Sequence, residues 1–415
     1  MTLEKTCRPV IRRHVNFINR SQFLFIIAAR QFIHYLPPPM KFSILPFFRN
    51  VFALLMICFS CTVNAANNMI VIGQSIDLSS PNAAIGRDYV AGIKTYFDSI
   101  NSAGGINGKR VQYIVRDDQG QPDMAAKTVT DLIERDQIDY LFGGVGDATT
   151  QAILDAPAFK RSGLILFAPL TDATPKDKSR VMFWRPNYQQ EIRFLFSHFG
   201  KLGIKDVGIV YQESPLNQDA YNSLSAEVRE RGMKLTGMAR IGTNNDQIAV
   251  EAGKLAASKP GFVIIIADTI GTALFLKEFR KHEQKTFVAG TSLINLATLR
   301  ELAGVKAVEW TVFSQVVPNP NASSSLIQAE HVNMMKKFRD ESVSSLTLEG
   351  FTVAKALSKI IQQSKRNSRS ALQELAARNK DIDLGGLYVV ASAKNNHLST
   401  YLDIALFKKG SGLIF

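Results

Sequence analysis

The feature that most constrains this chain is a repeated exchange between two hydrophobic periods. Met69-Ile70-Val71-Ile72 is a short continuous apolar run, and Tyr89, Val90, Ile93, Tyr96, Phe97 and Ile100 then recur at helical spacing. A short apolar run suits a strand buried on both faces, and a 3.6-residue recurrence suits one stripe of a helix. The exchange continues with strands over 111–115, 140–142 and 164–168. Between them lie helices marked by Ala125, Val129, Leu132 and Ile133 and over 149–159. A second series places helices over 191–202, 219–231, 246–257 and 273–279, and strands over 207–211, 235–241, 262–266 and 286–288. Strands alternating with helices imply parallel sheets covered on both faces. The fold class expected is α/β, with two similar Rossmann-like lobes. Helices over 326–338 and 349–363 and a β-rich tail at 387–390 and 401–407 follow. The late helices are expected to return to the first lobe and the tail to the second, giving a three-crossover hinge. The crossings are expected near Pro186-Asn187, Pro318-Asn319-Pro320 and Leu384-Gly385-Gly386. Lobe one would then be 66–186 and 319–384, and lobe two 187–318 and 385–415.

The N-terminus decides which residues take part in that fold. Met40 opens a segment with Lys41 and Arg49, an apolar run over 51–59, and Val63-Asn64-Ala65 as a small-x-small cleavage site. This reads as a signal peptide over 40–65, cleaved after Ala65, because the run is well short of the roughly 20 residues that span a bilayer. Residues 1–39 read as an upstream extension that is not translated, or as a long n-region. The mature chain is expected to be exported, without a membrane span. Cys7, Cys58 and Cys61 all precede Ala66, so the mature chain holds no cysteine for a disulfide or a thiolate metal site. The segment before Ala66 carries a net +7 of the chain's +13, leaving +6 scattered among acids. Such a surface gives nucleic-acid binding little support.

In open parallel sheets, ligands bind beyond the C-terminal ends of the strands. That rule nominates Ser79, Ser80, Asp147, Thr149, Thr150, Thr171 and Asp172 in the first lobe. In the second it nominates Gln212, Glu213, Asn217, Asp268, Thr269, Thr291 and Ser292. Short hydroxyl and amide side chains suit a small polar solute, and they also cap helices and close turns. Catalytic constellations are missing. His198, His282, His331 and His397 show no metal-ligand spacing, and there is no nucleophile elbow or Walker loop. Gly143-Gly144-Val145-Gly146 lacks the lysine of a phosphate loop and reads as a tight strand-to-helix turn. A binding protein, not an enzyme, is expected, with no cofactor and no metal.

Several segments taken in order resemble the leucine/isoleucine/valine-type periplasmic solute-binding proteins of ABC transporters, which have the type I periplasmic binding fold. They are Gly73-Gln74-Ser75 through Pro81 and Gly86, Gly104-Gly105-Ile106-Asn107-Gly108, and Phe167-Ala168-Pro169-Leu170-Thr171. Further along come Arg185-Pro186-Asn187-Tyr188 with Glu191, Ser314-Gln315-Val316-Val317-Pro318, and Leu348-Glu349-Gly350-Phe351. The resemblance implies a monomer that closes its lobes about a solute and presents it to an ABC permease. A ligand sensor on the same fold, signalling to a membrane receptor or regulator, is the alternative. The resemblance also implies ligand contacts at Asp147, Ala148, Thr149, Leu170 and Thr171, at Ile85 where relatives place an aromatic, and at Leu216, Asp268, Thr269, Thr291 and Ser292 opposite. Ser79 joins this set from the loop after the first strand.

Asp147 departs from the resemblance, since relatives carry Ser or Thr there to hold a ligand carboxylate. Two unit charges about 4 Å apart repel by about 4 kcal/mol at an effective dielectric of 20, roughly a thousandfold in affinity. Asp147 therefore either turns the site towards neutral or amine-bearing solutes, or caps its helix and faces away.

Overall fold

The computed structural model describes residues 69–171, 180–212, 218–242, 244–364, 370–376, 381–390, 396–410 and 412–415. The upstream extension and the signal segment lie outside these residues. Five parallel strands make the first sheet: β1 (Met69–Ile76), β2 (Arg110–Asp117), β3 (Tyr140–Phe142), β4 (Leu166–Phe167) and β5 (Val181–Met182). Their spatial order is β2-β1-β3-β4-β5. β1 thus has β2 on one side and β3 on the other, which makes it the topological switch point of the sheet. α1 (Ala84–Ser102), α2 (Pro122–Glu134), α3 (Asp147–Asp155) and α4 (Pro157–Ser162) connect the strands.

α5 (Tyr188–Lys201) enters the second lobe and is held at its start by a capping box, with Asn187 accepting from the Gln190 amide at 2.9 Å. The second sheet runs through β6 (Asp206–Gln212), α6 (Gln218–Glu230), β7 (Lys234–Ile241), α7 (Asn245–Ala257), β8 (Phe262–Ile266), α8 (Thr269–His282) and β9 (Phe287–Gly290). It continues with α9 (Leu296–Ala303), α10 (Val305–Val308) and β10 (Thr311–Gln315). α11 (Leu326–Phe338), α12 (Ser345–Gln363), α13 (Ala371–Ala376) and the short ribbon of β11 (Ile382–Asp383) with β12 (Tyr388–Val389) follow. β13 (Asp403–Lys408) and β14 (Gly412–Ile414) then complete the second sheet as antiparallel strands. Its order is β14-β13-β10-β9-β8-β6-β7, so β6, flanked by β7 and β8, is the second switch point.

Each sheet is covered by apolar side chains on both faces. Ile72, Phe142 and Phe167 pack with α1 and α12 on one face of the first sheet, and Leu141 and Leu166 pack with Val129 of α2 and Phe159 of α4 on the other. α1 and α12 touch along two glycines. A Cβ on Gly92 would lie 2.0 Å from the Thr347 carbonyl oxygen, and one on Gly350 would lie 2.1 Å from that of Tyr89.

Two expectations change. The helix expected over 149–159 is two helices, α3 and α4, broken at Ala156 with ψ of 128°. The ring of Pro157 drives the preceding residue out of the helical region. The third passage between lobes was expected at Leu384-Gly385-Gly386. Instead Leu384, Leu387, Val389 and Leu398 sit in the core of the first lobe. Leu398 and Ser399 donate their amides to the carbonyls of Phe183 and Trp184 at 2.8 and 2.9 Å, and the chain joins the second sheet only at Asp403. The passage therefore follows Ser399, because four apolar side chains bury themselves before it.

Candidate functional site

A cavity of about 480 Å³ lies where the C-terminal edges of the two sheets face each other. This is within the roughly 300–1,000 Å³ usual for small-molecule sites. Both switch points open onto it. Asp77, Ser80, Asn82 and Ile85 follow β1, and Val145 through Thr149 follow β3. Across from them stand Gln212 at the end of β6, Ala267 and Asp268 after β8, Thr291 and Leu293 after β9, and Tyr188 of α5.

The first wall is shaped by short-range bonds. Asp77 is 4% exposed, and its Oδ1 accepts the Ser80 amide at 2.9 Å while its Oδ2 accepts the Ser80 hydroxyl. These bonds fold the turn that delivers Asn82 and Ile85. The loop after β3 needs its glycines. A Cβ on Gly143 would lie 2.4 Å from Pro169, and one on Gly144 would lie 2.5 Å from the Ser75 carbonyl oxygen. Gly146, at φ 99°, occupies the cap position of α3. Asp147 is therefore the first helical residue, where a carboxylate complements the positive end of the helix. It lines the cavity, and the Thr171 hydroxyl donates to its Oδ1. The Thr149 hydroxyl donates to the Val145 carbonyl at 2.6 Å and so ties the first turn to the loop.

The second wall turns on Asp268. Its Oδ1 caps α8 by accepting the Gly271 amide at 2.7 Å, and its own amide donates to Gln212 Oε1 at 2.8 Å. Its Oδ2 accepts from Gln212 Nε2 at 3.1 Å and from Asn82 Nδ2 at 3.3 Å. The Asn82 bond crosses the cleft. A second bridge lies beside it. Asp88 of α1 accepts from Asn295 Nδ2 at 3.2 Å and from the Ser344 hydroxyl at 2.8 Å, and burial pushes its carboxyl up.

Behind the cleft, where the lobes join, is a buried polar network. Arg185 donates Nε and Nη2 to the two carboxylate oxygens of Glu349, both at 2.7 Å, and Nη1 to the Ser292 hydroxyl at 2.9 Å. Ser292 and Ser314 donate in turn to Glu191. Burial pushes the Glu349 carboxyl up, and the Arg185 guanidinium opposes that shift.

The structure therefore brings together part of the residue set read from sequence. Ile85, Asp147, Ala148, Thr149, Asp268 and Thr291 line the cavity. Ser79 is exposed outside it. The Leu170 amide and carbonyl pair with Gly144 and Gly146 and shape the loop from behind, as Thr171 does through Asp147. Thr269 is buried, accepting the Asn295 amide at 3.2 Å, and Ser292 belongs to the junction network. Leu216, Asp172, Glu213 and Asn217 lie outside the described residues. Asp77, Asn82, Tyr188 and Leu293 were missed. The first two were hidden because the apolar run stops at Ile72, whereas β1 continues to Ile76 through polar residues that pair internally, such as Gln74 Nε2 to the Gly143 carbonyl at 2.6 Å.

Comparison with known proteins agrees with this fold. The sequence profile described as "Periplasmic binding protein" matches residues 69–411. The chain is similar to a protein named Leu/Ile/Val-binding protein homolog 1 of Brucella melitensis biotype 1. The two are 22% identical over 326 residues, which is 75% of this chain and 82% of that protein. It is also 27% identical over 130 residues to a leucine-, isoleucine-, valine-, threonine-, and alanine-binding protein of Pseudomonas aeruginosa, covering 31% and 34% of the two chains. Among solved structures, a substrate-binding periplasmic protein from Ralstonia solanacearum superposes with a TM-score of 0.74 at 26% identity, over 83% of this chain and 99% of that one. An extracellular ligand-binding receptor from Verminephrobacter eiseniae gives 0.74 at 22% identity, over 84% and 100%. With the profile spanning nearly all the described residues, the chain belongs to the periplasmic binding protein family.

Proposed function

We propose that this protein captures a small polar solute (an amino acid, an amide or an amine) in the cleft between its lobes and delivers it to an ABC permease. The work would be done in the periplasm, after removal of the segment ending at Ala65. One observation carries the reading: the loops at both topological switch points face a single cavity, and Asn82 already reaches Asp268 across it. A solute held by both walls binds the closed arrangement better than the open one, which is all that closure requires. The names of the relatives, which refer to branched-chain and other small amino acids, support the size and polarity of the solute. No chemistry on the solute is part of this function. Thermal-shift screening of the refolded protein against amino acids, amides, amines and small organic acids tests capture. A true ligand at 100 times its Kd adds about 2.7 kcal/mol of stability. Uptake of the labelled hit by cells lacking the gene tests delivery. Unchanged uptake would remove the permease from the account and leave capture in place.

A further inference from the structure

We infer that the cleft selects solutes carrying a cationic amine and no free carboxylate. The inference rests on the solute-binding reading above and narrows it. Three carboxylates, Asp77, Asp147 and Asp268, line the cavity, and among the described residues no lysine, arginine or histidine does. Two of these acids cannot swing away. Asp77 is fixed by the Ser80 amide and Asp268 by the Gly271 amide, and the Asp268 bonds come from both sides of the cleft. Asp147 stands in the first turn of α3, the place where an anionic group would otherwise find helix amides.

Asn82 gives an independent sign of what the solute must supply. Its Nδ2 donates to Asp268, so the amide cannot be flipped without setting two acceptors against each other. That orientation leaves Asn82 Oδ1 buried without a partner among the described residues, in a side chain that lines the cavity. A buried acceptor calls for a donor. An ammonium group brings three donors and no acceptor, which answers both the charge and the orphaned oxygen. A carboxylate brings acceptors only. The apolar lining from Ile85, Val145, Ile266 and Leu293 suits a hydrocarbon body behind the amine.

Titration calorimetry of the refolded protein with matched probes tests the inference. Alanine, leucine and phenylalanine would each be compared as the free acid, the amino-acid amide and the decarboxylated amine. The amide or amine of at least one set is expected to bind about tenfold or more tighter than its free acid. Asp147→Ser should narrow that gap by strengthening the free acid. Asp147→Asn, which keeps the shape and the Thr171 bond, should act in the same direction. Free acids that match or exceed their amides in the wild type would overturn the charge selection while leaving solute capture standing. An unchanged ratio in both variants would overturn the role of Asp147. Silence from every amine and amide at millimolar concentration would also overturn the selection. Capture would then rest on the wider solute panel.

Discussion

Asp118 shows how closely charge is managed beside the cleft. It is fully buried and accepts from the Gly120 amide at 3.0 Å and the Ser75 hydroxyl at 2.9 Å. Burial pushes its carboxyl up to about 6, Asp77 and Asp117 add to the shift, and the two hydrogen bonds oppose it. The folded protein thus holds this proton more tightly than the unfolded chain, whose aspartates titrate near pH ~4. Between those values the native state binds more protons, so this group's contribution to stability falls as pH rises through the window. Over the full window the difference is about 3 kcal/mol. Urea unfolding of wild type and Asp118→Asn from pH ~4 to ~7 should show the wild type losing stability relative to the variant as pH rises. A constant difference between the two would contradict the assignment. Sequence alone gave no hint of Asp118, since a buried acid at a strand end reads like any turn residue. The same ambiguity explains why Thr291 lines the cleft while Ser292, its neighbour, is spent on Arg185 and Glu191.

Among the elements, the pair α1 and α12 is open to disruption by a single change. Ala on Gly92 would gain up to about 1 kcal/mol in helix propensity. It would also place a methyl 2.0 Å from a backbone carbonyl, where no rotamer can relieve it. Overpacking of this kind costs about 1–3 kcal/mol, and a clash with backbone belongs at the upper end, so Gly92→Ala is expected to destabilise. Chemical denaturation reads the sign, and a stabilised variant would mean that the helices are not locked together. Element type was legible wherever a buried run or a stripe was long, as in β8, where all five residues are buried. Element ends were not. β1 runs on through Gly73-Gln74-Ser75 because partners on the flanking strand, loops and helix satisfy those polar groups, and β4 stops after Phe167 because Ala168 turns to φ 52°. Such ends are decided by tertiary partners, here the Gly143 carbonyl for Gln74 and Asp118 and Thr128 for Ser75, which a one-dimensional pattern does not carry.

At the scale of the whole molecule, the connections between lobes meet at one polar knot. Arg185 lies on the first passage and Ser314 at the end of β10, before the second. His397 Nδ1 lies 2.6 Å from the Arg185 carbonyl, just before the third. A buried ion pair is weak evidence for stability, and its best-attested use is to fix orientation. Here it ties Arg185 and Glu349 to Ser292, Ser314 and Glu191 where the lobes join. The two-lobed α/β plan was readable from the alternation of periods, while the position of the third passage depended on apolar side chains after Leu384 that no crossover signal marks. Ala148 offers the most direct test of the central claim, because it is exposed in the cleft at the start of α3 and a larger side chain there fills the cavity without disturbing a core. The measurement is native mass spectrometry of refolded wild type and Ala148→Trp, each incubated with a mixture of amino acids, amino-acid amides and amines. One small molecule per chain in the wild type and none in the variant is the predicted result. No adduct in either protein, or the same adduct in both, would contradict solute capture in the cleft.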